Sequence, residues 1–511
     1  MMMNKRIPLV VSLLILIVIA TSARMLDLKV LKFSEEEEYK KTKIKIVDHT
    51  KEFAKEGIKS YEGAKTCYKC HEEATVDFFH SYHYQMLAKQ YDAYNVPWVK
   101  YGGKRAMNDF CGAIFFQGKP INFIGFAKLV NVPTGYEDMK GKPVAYGCAA
   151  CHSIGMGAIP SSKLTEEQLK NMDCLACHMN PDVYVSGVLG FKKGVRSIYK
   201  GADGKWHYKV NLDINTIAKN IIDKPTNANC LACHAYSGGG PGFKRPNITP
   251  DMYHKNKNFD YHIGEGMNCV DCHTGKYHLF PDKVADGWAR EPGNVKTCID
   301  CHGPQPHDND EREGRELNKH SEYIACQTCH IPYIAHGQYP TELSRDWSGS
   351  HFSPKLGYWE PKAKYGRYVR PTYMWYNGSR TIYVYPNKVN GTEVVLVKPL
   401  GSKGNGKIYP FKVHTSRVPL SDEGIPIPIK VGLFMATGNS TAAILAGAKE
   451  TSLHWSGKWV TYIRYMQVDH GVVPDDRALG CKDCHSPNTF FPWKELGYKK
   501  IPQINDYEEE R

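Results

Sequence analysis

Eight Cys-x-x-Cys-His strings, short helical periods between them and one β-patterned stretch without such strings predict a mainly α and irregular fold. It would be organised around eight bound groups rather than one apolar core, with a small β-hairpin element in the string-poor region. The chain has 511 residues and 17 cysteines, of which 16 sit in the strings. That excludes a disulfide framework and leaves Cys111 alone. Zinc ribbons need no His after every second Cys, which argues against zinc. From the Cys and His frequencies roughly 0.02 such strings would arise by chance, so eight are not accidental.

The strings begin at Cys67, Cys148, Cys174, Cys230, Cys269, Cys298, Cys326 and Cys481. Between and around them the local signals are short. Residues 72–90 read as a helix continuing from the first string. Thr165 and Gln168 fit a capping box opening a helix that leads to Cys174. Ile214, Ile217, Ala218, Ile221 and Ile222 fall at helical spacing before Pro225. Residues 331–480 have no string. There Thr381–Tyr385 and Thr392–Val397 flank Asn390-Gly391 and read as a hairpin.

The spacing carries the chemistry. Two thiols three residues apart lie about one helical turn from each other and can add to the two vinyl groups on one porphyrin edge. The His that follows turns its imidazole to the iron. The thioether cysteines are then Cys67, Cys70, Cys148, Cys151, Cys174, Cys177, Cys230, Cys233, Cys269, Cys272, Cys298, Cys301, Cys326, Cys329, Cys481 and Cys484. The proximal ligands are His71, His152, His178, His234, His273, His302, His330 and His485. The expected cofactors are eight covalently attached haem c groups. Of 22 His, 14 remain. A second His on an iron gives a low-spin electron-transfer haem, and a missing or displaceable ligand gives a catalytic one. The distal candidates are His83, His254, His262, His278, His307, His320, His414 and His470, whereas His49 precedes the strings and is set aside.

The formal charge of +13 invites a nucleic-acid reading, but eight haems add about −8 oxidised and about −16 reduced. The 66 Lys and Arg read as partners for propionates, and no nucleic acid is expected. The mean hydropathy of −0.47 is tolerable where porphyrins supply apolar surface. The 32 Tyr and nine Trp read as packing against porphyrin faces rather than as catalytic groups.

Residues 1–23 have a basic start, an apolar run from Ile7 to Ala20 and the small residues Thr21-Ser22-Ala23, which reads as a secretory signal. An uncleaved membrane anchor is the alternative. An extracytoplasmic site follows: secreted, cell-surface or periplasmic. Residues 24–60, with Glu35 to Glu38, read as a charged linker. Residues 61–330 read as a domain with seven strings, 331–480 as a β-containing elaboration, and 481–511 as the eighth string and tail. Sequons at Asn247, Asn377, Asn390 and Asn439 are compatible with glycosylation.

Over about residues 61–490 the chain resembles the octaheme tetrathionate reductases. The markers are Asn108-Asp-Phe-Cys111, Asp173-Cys-Leu-Ala-Cys-His178, His262, His278, His307, Leu317-Asn-Lys-His320 and Ala325 to Pro332. Asp346-Trp-Ser348, Pro371 to Gly378, Pro410 to His414 and His470 to Pro474 continue the series in order and spacing. The resemblance implies a multihaem cytochrome fold with irons within electron-transfer distance. It also implies one early haem with a distal Lys and a neighbouring cysteine, and tetrathionate, nitrite or hydroxylamine as substrate. Cys111 and Asn108 carry over as catalytic candidates, with Lys193 as a cationic one. The match departs at Val183-Tyr184-Val185-Ser186, with Lys192, Lys193 and Lys200 only later, and at Lys244-Arg245-Pro246 after Gly238-Gly239-Gly240.

Two functions follow as expectations. One is a reductase of a small oxyanion, fed by a quinol-linked or periplasmic donor. The other is a conduit to a terminal acceptor, as a homo-oligomer or filament subunit.

Overall fold

The computed structural model describes residues 44–85, 110, 114–116, 119–121, 151, 154–156, 160–161, 163–200, 202, 206–280, 295–354, 358–383 and 386–503. The signal segment, Asn108, Cys111, Cys148 and His152 lie outside the described residues.

The string-bearing part is built of helices of four to nine residues joined by long connections. The helix Glu72–His80 stops where Ser81 turns extended and its hydroxyl donates to the Phe78 carbonyl. A second short helix, Tyr82–Gln85, follows. Thr165 caps Glu166–Asn171 by accepting from the Gln168 amide. The return half of the expected box is absent, because the Gln168 carboxamide accepts from the Tyr84 hydroxyl and the Ser161 amide. Asp213 caps a helix over Ile214–Ala218 only. Ile221 and Ile222 leave the predicted helix and form bridges to Met179 and Ile46.

Two small hairpins pair β1 (Ile114–Phe116) with β2 (Lys119–Ile121) and β3 (Arg196–Lys200) with β4 (Trp206–Val210). The string-poor stretch holds far more than a hairpin. Strands β5 (Thr341–Ser353), β6 (Tyr358–Gly366), β7 (Thr372–Tyr376), β8 (Arg380–Ile382), β9 (Glu393–Pro399), β10 (Lys407–Pro419) and β11 (Trp459–Gln467) form one seven-stranded sheet. Its order is β6-β5-β10-β11-β9-β8, with β7 on the first half of β10. The predicted strand pair is present as β8 against β9, with Thr381 opposite Lys398. The pairs β10 with β5 and β11 with β9 are parallel. Parallel pairs need crossover connections, which short-range turn signals do not reveal.

Alternate residues of β11 face inward: Val460, Tyr462, Arg464 and Met466. The sheet core gathers Trp347, Leu396, Val418, Ile427, Phe434 and Ile444, with the helices Val431–Thr437 and Ser440–Thr451 over it. The string part is stitched to this sheet. Ile324 pairs with Ile408, the Thr328 hydroxyl donates to the Ile408 carbonyl, and Phe491, Trp493 and Leu496 close over Tyr373. Among the described residues no helix is long and apolar enough to cross a membrane. Of the sequons, Asn247 is buried and bonds the Tyr333 and His470 carbonyls and the Ala335 amide, so it is closed to glycan attachment.

Leu396 is fully buried in the sheet core. Leu396→Ala is expected to cost about 2–5 kcal/mol, read as a lower denaturant midpoint in near-ultraviolet circular dichroism.

Candidate haem centres

Each described string is one tight helical turn. The amide of the closing His bonds the carbonyl of the opening Cys at 2.9 Å in His71, His273 and His302, and at 3.0 Å in His178. Capping fixes where the turn begins. Asp271 accepts from the Asn268 amide at 2.7 Å, Asp300 from the Thr297 amide at 2.6 Å, and Asp483 from the Gly480 amide at 2.9 Å.

Each of the seven described string imidazoles faces a second imidazole. The ring centres are 6.3 Å apart in His71–His49, 6.2 Å in His178–His278 and 6.1 Å in His234–His83. They are 6.3 Å apart in His273–His470, 6.0 Å in His302–His262, 6.3 Å in His330–His307 and 6.0 Å in His485–His320. Metal–nitrogen bonds of about 2 Å on either side of one iron put two ring centres about 6 Å apart, so the spacing fits a metalloporphyrin between each pair. Burial drives His83, His320 and His470 down to about 4 and His234 to about 3. It holds them in the neutral form that can bind a metal.

The strings adjoin one another in a definite order. Sulfurs come within hydrogen-bonding reach between Cys67 and Cys174, Cys230 and Cys269, and Cys298 and Cys326. Cys177 neighbours Cys230, Cys272 neighbours Cys301, and Cys329 neighbours Cys484. The sequence of neighbours is therefore strings one, three, four, five, six, seven and eight. The second string joins from the side, where Cys151 meets Cys233.

Phe110, the residue before Cys111, is buried against Gly238, shortly after the fourth string. It stacks on His414 with centres 4.1 Å apart and planes 18° apart. Arg345, Lys244 and Lys412 lie 5.4, 5.8 and 5.9 Å from its ring centre. Arg345 binds both Glu342 oxygens at 2.7 Å, donates to the Phe110 carbonyl, and donates to the Gly238 carbonyl at 3.1 Å. Lys412 donates to the Phe243 carbonyl at 2.5 Å and the Lys244 carbonyl at 3.1 Å. Burial opposes ionisation of Glu342, but Arg345 and His414 together hold its carboxyl below the ordinary Glu value.

The structure places four of these residues differently from the expectation. His414 faces no string imidazole among the described residues: its Nε2 lies 3.1 Å from Glu342 Oε1 and Phe110 covers its face. His254 is exposed at the end of a 3-10 turn and is in no ring pair among the described residues. His49, set aside above, faces His71. The Val47 amide bonds the Ile221 carbonyl and the His49 amide the Ala218 carbonyl, which docks a segment read from its charge as linker. The neighbouring polar residues hid a short strand-like contact that only the folded 218–222 segment creates. Lys193 is exposed, with Nζ 3.5 Å from the Pro181 carbonyl, away from the Phe110 cluster.

Residues 123–283 match the NapC/NirT cytochrome c family N-terminal region, 255–331 cytochrome c7 and related cytochrome c, and 350–488 bacterial cytochrome c. An uncharacterized protein of Archaeoglobus fulgidus is 48% identical over 252 residues, 48% of this chain and 84% of that relative. With covalent haem c on its strings and electron transfer as its activity, the chain belongs to the multihaem c-type cytochromes. Within them its fold is similar to that of the octaheme cytochrome c from Shewanella oneidensis, at 25% identity and a TM-score of 0.63, over 87% of this chain and 95% of that one.

Two variants test these centres. His49→Ala should free one iron and add one carbon-monoxide-binding haem to the reduced protein's difference spectrum; an unchanged count would refute the His49–His71 pairing. Glu342→Gln strands His414 and Arg345 without their buried anion and should cost about 3–5 kcal/mol. Because the folded Glu342 value is depressed, its stabilisation is present above the ordinary Glu range near 4.3. It fades as pH falls through the lower folded value, so the wild type should lose this margin in acid and the variant should not.

Proposed function

We propose that the chain carries eight haems, is exported, and reduces a small sulfur or nitrogen compound of the tetrathionate, nitrite or hydroxylamine type at the haem of the second string. The observation that carries this reading is the pairing of seven string imidazoles with a second imidazole. Haems between those seven pairs would have the bis-His ligation of electron carriers. The second string, Cys148–His152, is the one that follows Asn108 and Cys111 in sequence, and its His152 lies outside the described residues. It adjoins the chain of haems at Cys233, as a terminus would.

A bound haem supplies one-electron chemistry at its iron. The chain's own residues supply the rest. Arg345, Lys244 and Lys412 gather three buried cations around Phe110, with Glu342 pairing Arg345. In a buried setting that charge favours an anion far more than it would in water. Cys111 and Asn108 are the thiol and amide assigned to the substrate side. For tetrathionate, two electrons break one S–S bond and release two thiosulfates. The cationic role first given to Lys193 passes to Arg345, Lys244 and Lys412. Electrons would arrive from a quinol-linked or other extracytoplasmic donor.

A second reading is a conduit without turnover. The Tyr208 amide bonds the Met156 carbonyl at 3.1 Å. That ties β4, which carries His207, to the segment just after the second string. A His207 ligand on that haem would complete bis-His ligation and close the site. The domain boundaries given above, at 23, 60, 330 and 480, belong to the same proposal.

Protein-film voltammetry of the purified mature protein separates the two. Tetrathionate, nitrite or hydroxylamine should produce a catalytic wave, and Cys111→Ala should reduce it by at least about tenfold, the size of one lost positioning or charge-assisted contact. Reversible haem signals with no catalytic current for any of the three would establish the conduit instead.

A further inference from the structure

Residues 299–316 carry six carboxylates, Asp300, Asp308, Asp310, Glu311, Glu313 and Glu316, against Arg312 and Arg315, in a chain whose formal charge is +13. Almost all of this stretch is exposed, including five of the six carboxylates and the apolar Ile299, which is 53% exposed. The stretch serves three centres. It supplies His302 to the sixth string and His307 opposite His330 of the seventh. Its helix Arg312–His320 ends on His320, opposite His485 of the eighth. Glu313 lies 3.7 Å from the Cys481 sulfur. Asp308, Asp310 and Glu311 make no ion pair among the described residues.

The first string differs. Beside Cys70 and His71 the charges are mixed, with Glu62, Glu72, Glu73 and Asp77 set among Lys65, Lys69 and Lys170. Lys65 pairs with Glu166 at 2.7 Å and Glu62 at 3.5 Å, and Lys170 pairs with Glu166 at 3.0 Å.

We propose that the acidic face over residues 299–316 is the docking surface for a cationic electron-carrier protein, one whose own redox centre opens within a ring of lysines. Charge complementarity selects the partner and orients it, and Ile299 beside Cys301 gives a dry contact at the haem edge. One electron crosses per encounter: the donor centre is oxidised by one as the acceptor haem on this face is reduced by one. The partner meets three haems at once, so transfer does not depend on a single docked angle. This inference rests on the electron-transfer assignment and not on any substrate, so it stands or falls apart from the reductase reading.

The test is a calorimetric titration of the oxidised holoprotein with an oxidised lysine-rich mitochondrial cytochrome c as probe. Binding at low ionic strength should weaken at least about tenfold on raising salt to about 0.2 M, where charges beyond about 8 Å are screened. The triple variant Asp308→Lys/Asp310→Lys/Glu311→Lys should weaken it at least about tenfold at low salt. The neutralised pair Asp310→Asn/Glu311→Gln should fall between, with an unchanged low-spin spectrum showing that His302, His307 and His320 remain bound. Glu73→Lys beside the first string should leave binding unaltered. The proposal is overturned if the probe does not bind at low salt, if both acidic-face variants bind as the wild type does, or if Glu73→Lys weakens binding as much as they do.

Discussion

Everything in this molecule is arranged around one constraint: two imidazoles must stand about 6 Å apart with an iron between them. One of the two is fixed locally by its string. The other is brought from wherever the chain can reach: His470 to His273, His320 to His485, His83 to His234. Each such pair closes a long loop, and the entropy of closing a loop grows only slowly with its length. Seven closures of this kind restrain a chain with little continuous core. That explains how helices of four to nine residues suffice, when isolated helices of that length are unstable in water. It also explains the low hydropathy, since the apolar surface is supplied by the groups that are held.

The same logic decides what the sequence could reveal. The string turn is local, so its ligands and its capping residues are legible from spacing alone. The distal partner is a tertiary fact. His278, His307 and His320 sit near strings in sequence and face string imidazoles in space. His49 also faces one, although its neighbours are polar and it precedes every string. What places it is a pair of backbone hydrogen bonds to residues 218 and 221, which no local pattern encodes. His414 is the reverse case. It lies within a stretch shared with the octaheme tetrathionate reductases, yet its partner is a carboxylate on the adjacent parallel strand, Glu342. The β pattern was legible for β8 and β9, which pair antiparallel close in sequence. It was silent on the parallel pairings that turn seven strands into one sheet.

That sheet has a purpose beyond filling space. Glu342 and Arg345 come from β5, and Lys412 and His414 from β10. Together they grip the Phe110 carbonyl, the Phe110 ring and the carbonyls of Gly238, Phe243 and Lys244. A strand fixes its side chains by register, and two neighbouring strands fix them against each other. Two segments that would otherwise be independent loops are thereby held to a rigid surface just after the fourth string. A string-poor sheet is well suited to this, because it carries no iron of its own to place.

Net charge says little about such a protein, and the distribution of charge says a great deal. Three buried cations cluster around Phe110, while carboxylates outnumber cations over the exposed residues 299–316. Buried charge acts strongly on what lies within a few ångströms of it. Surface negative charge acts through solvent at longer range and governs which macromolecule approaches. The two therefore do not oppose each other, because one acts at short range in the interior and the other through solvent at the surface. Adding the haem propionates brings the total charge near neutrality and leaves this separation in place. Reduction then shifts the total by one unit per haem while the fixed side chains keep both local signs.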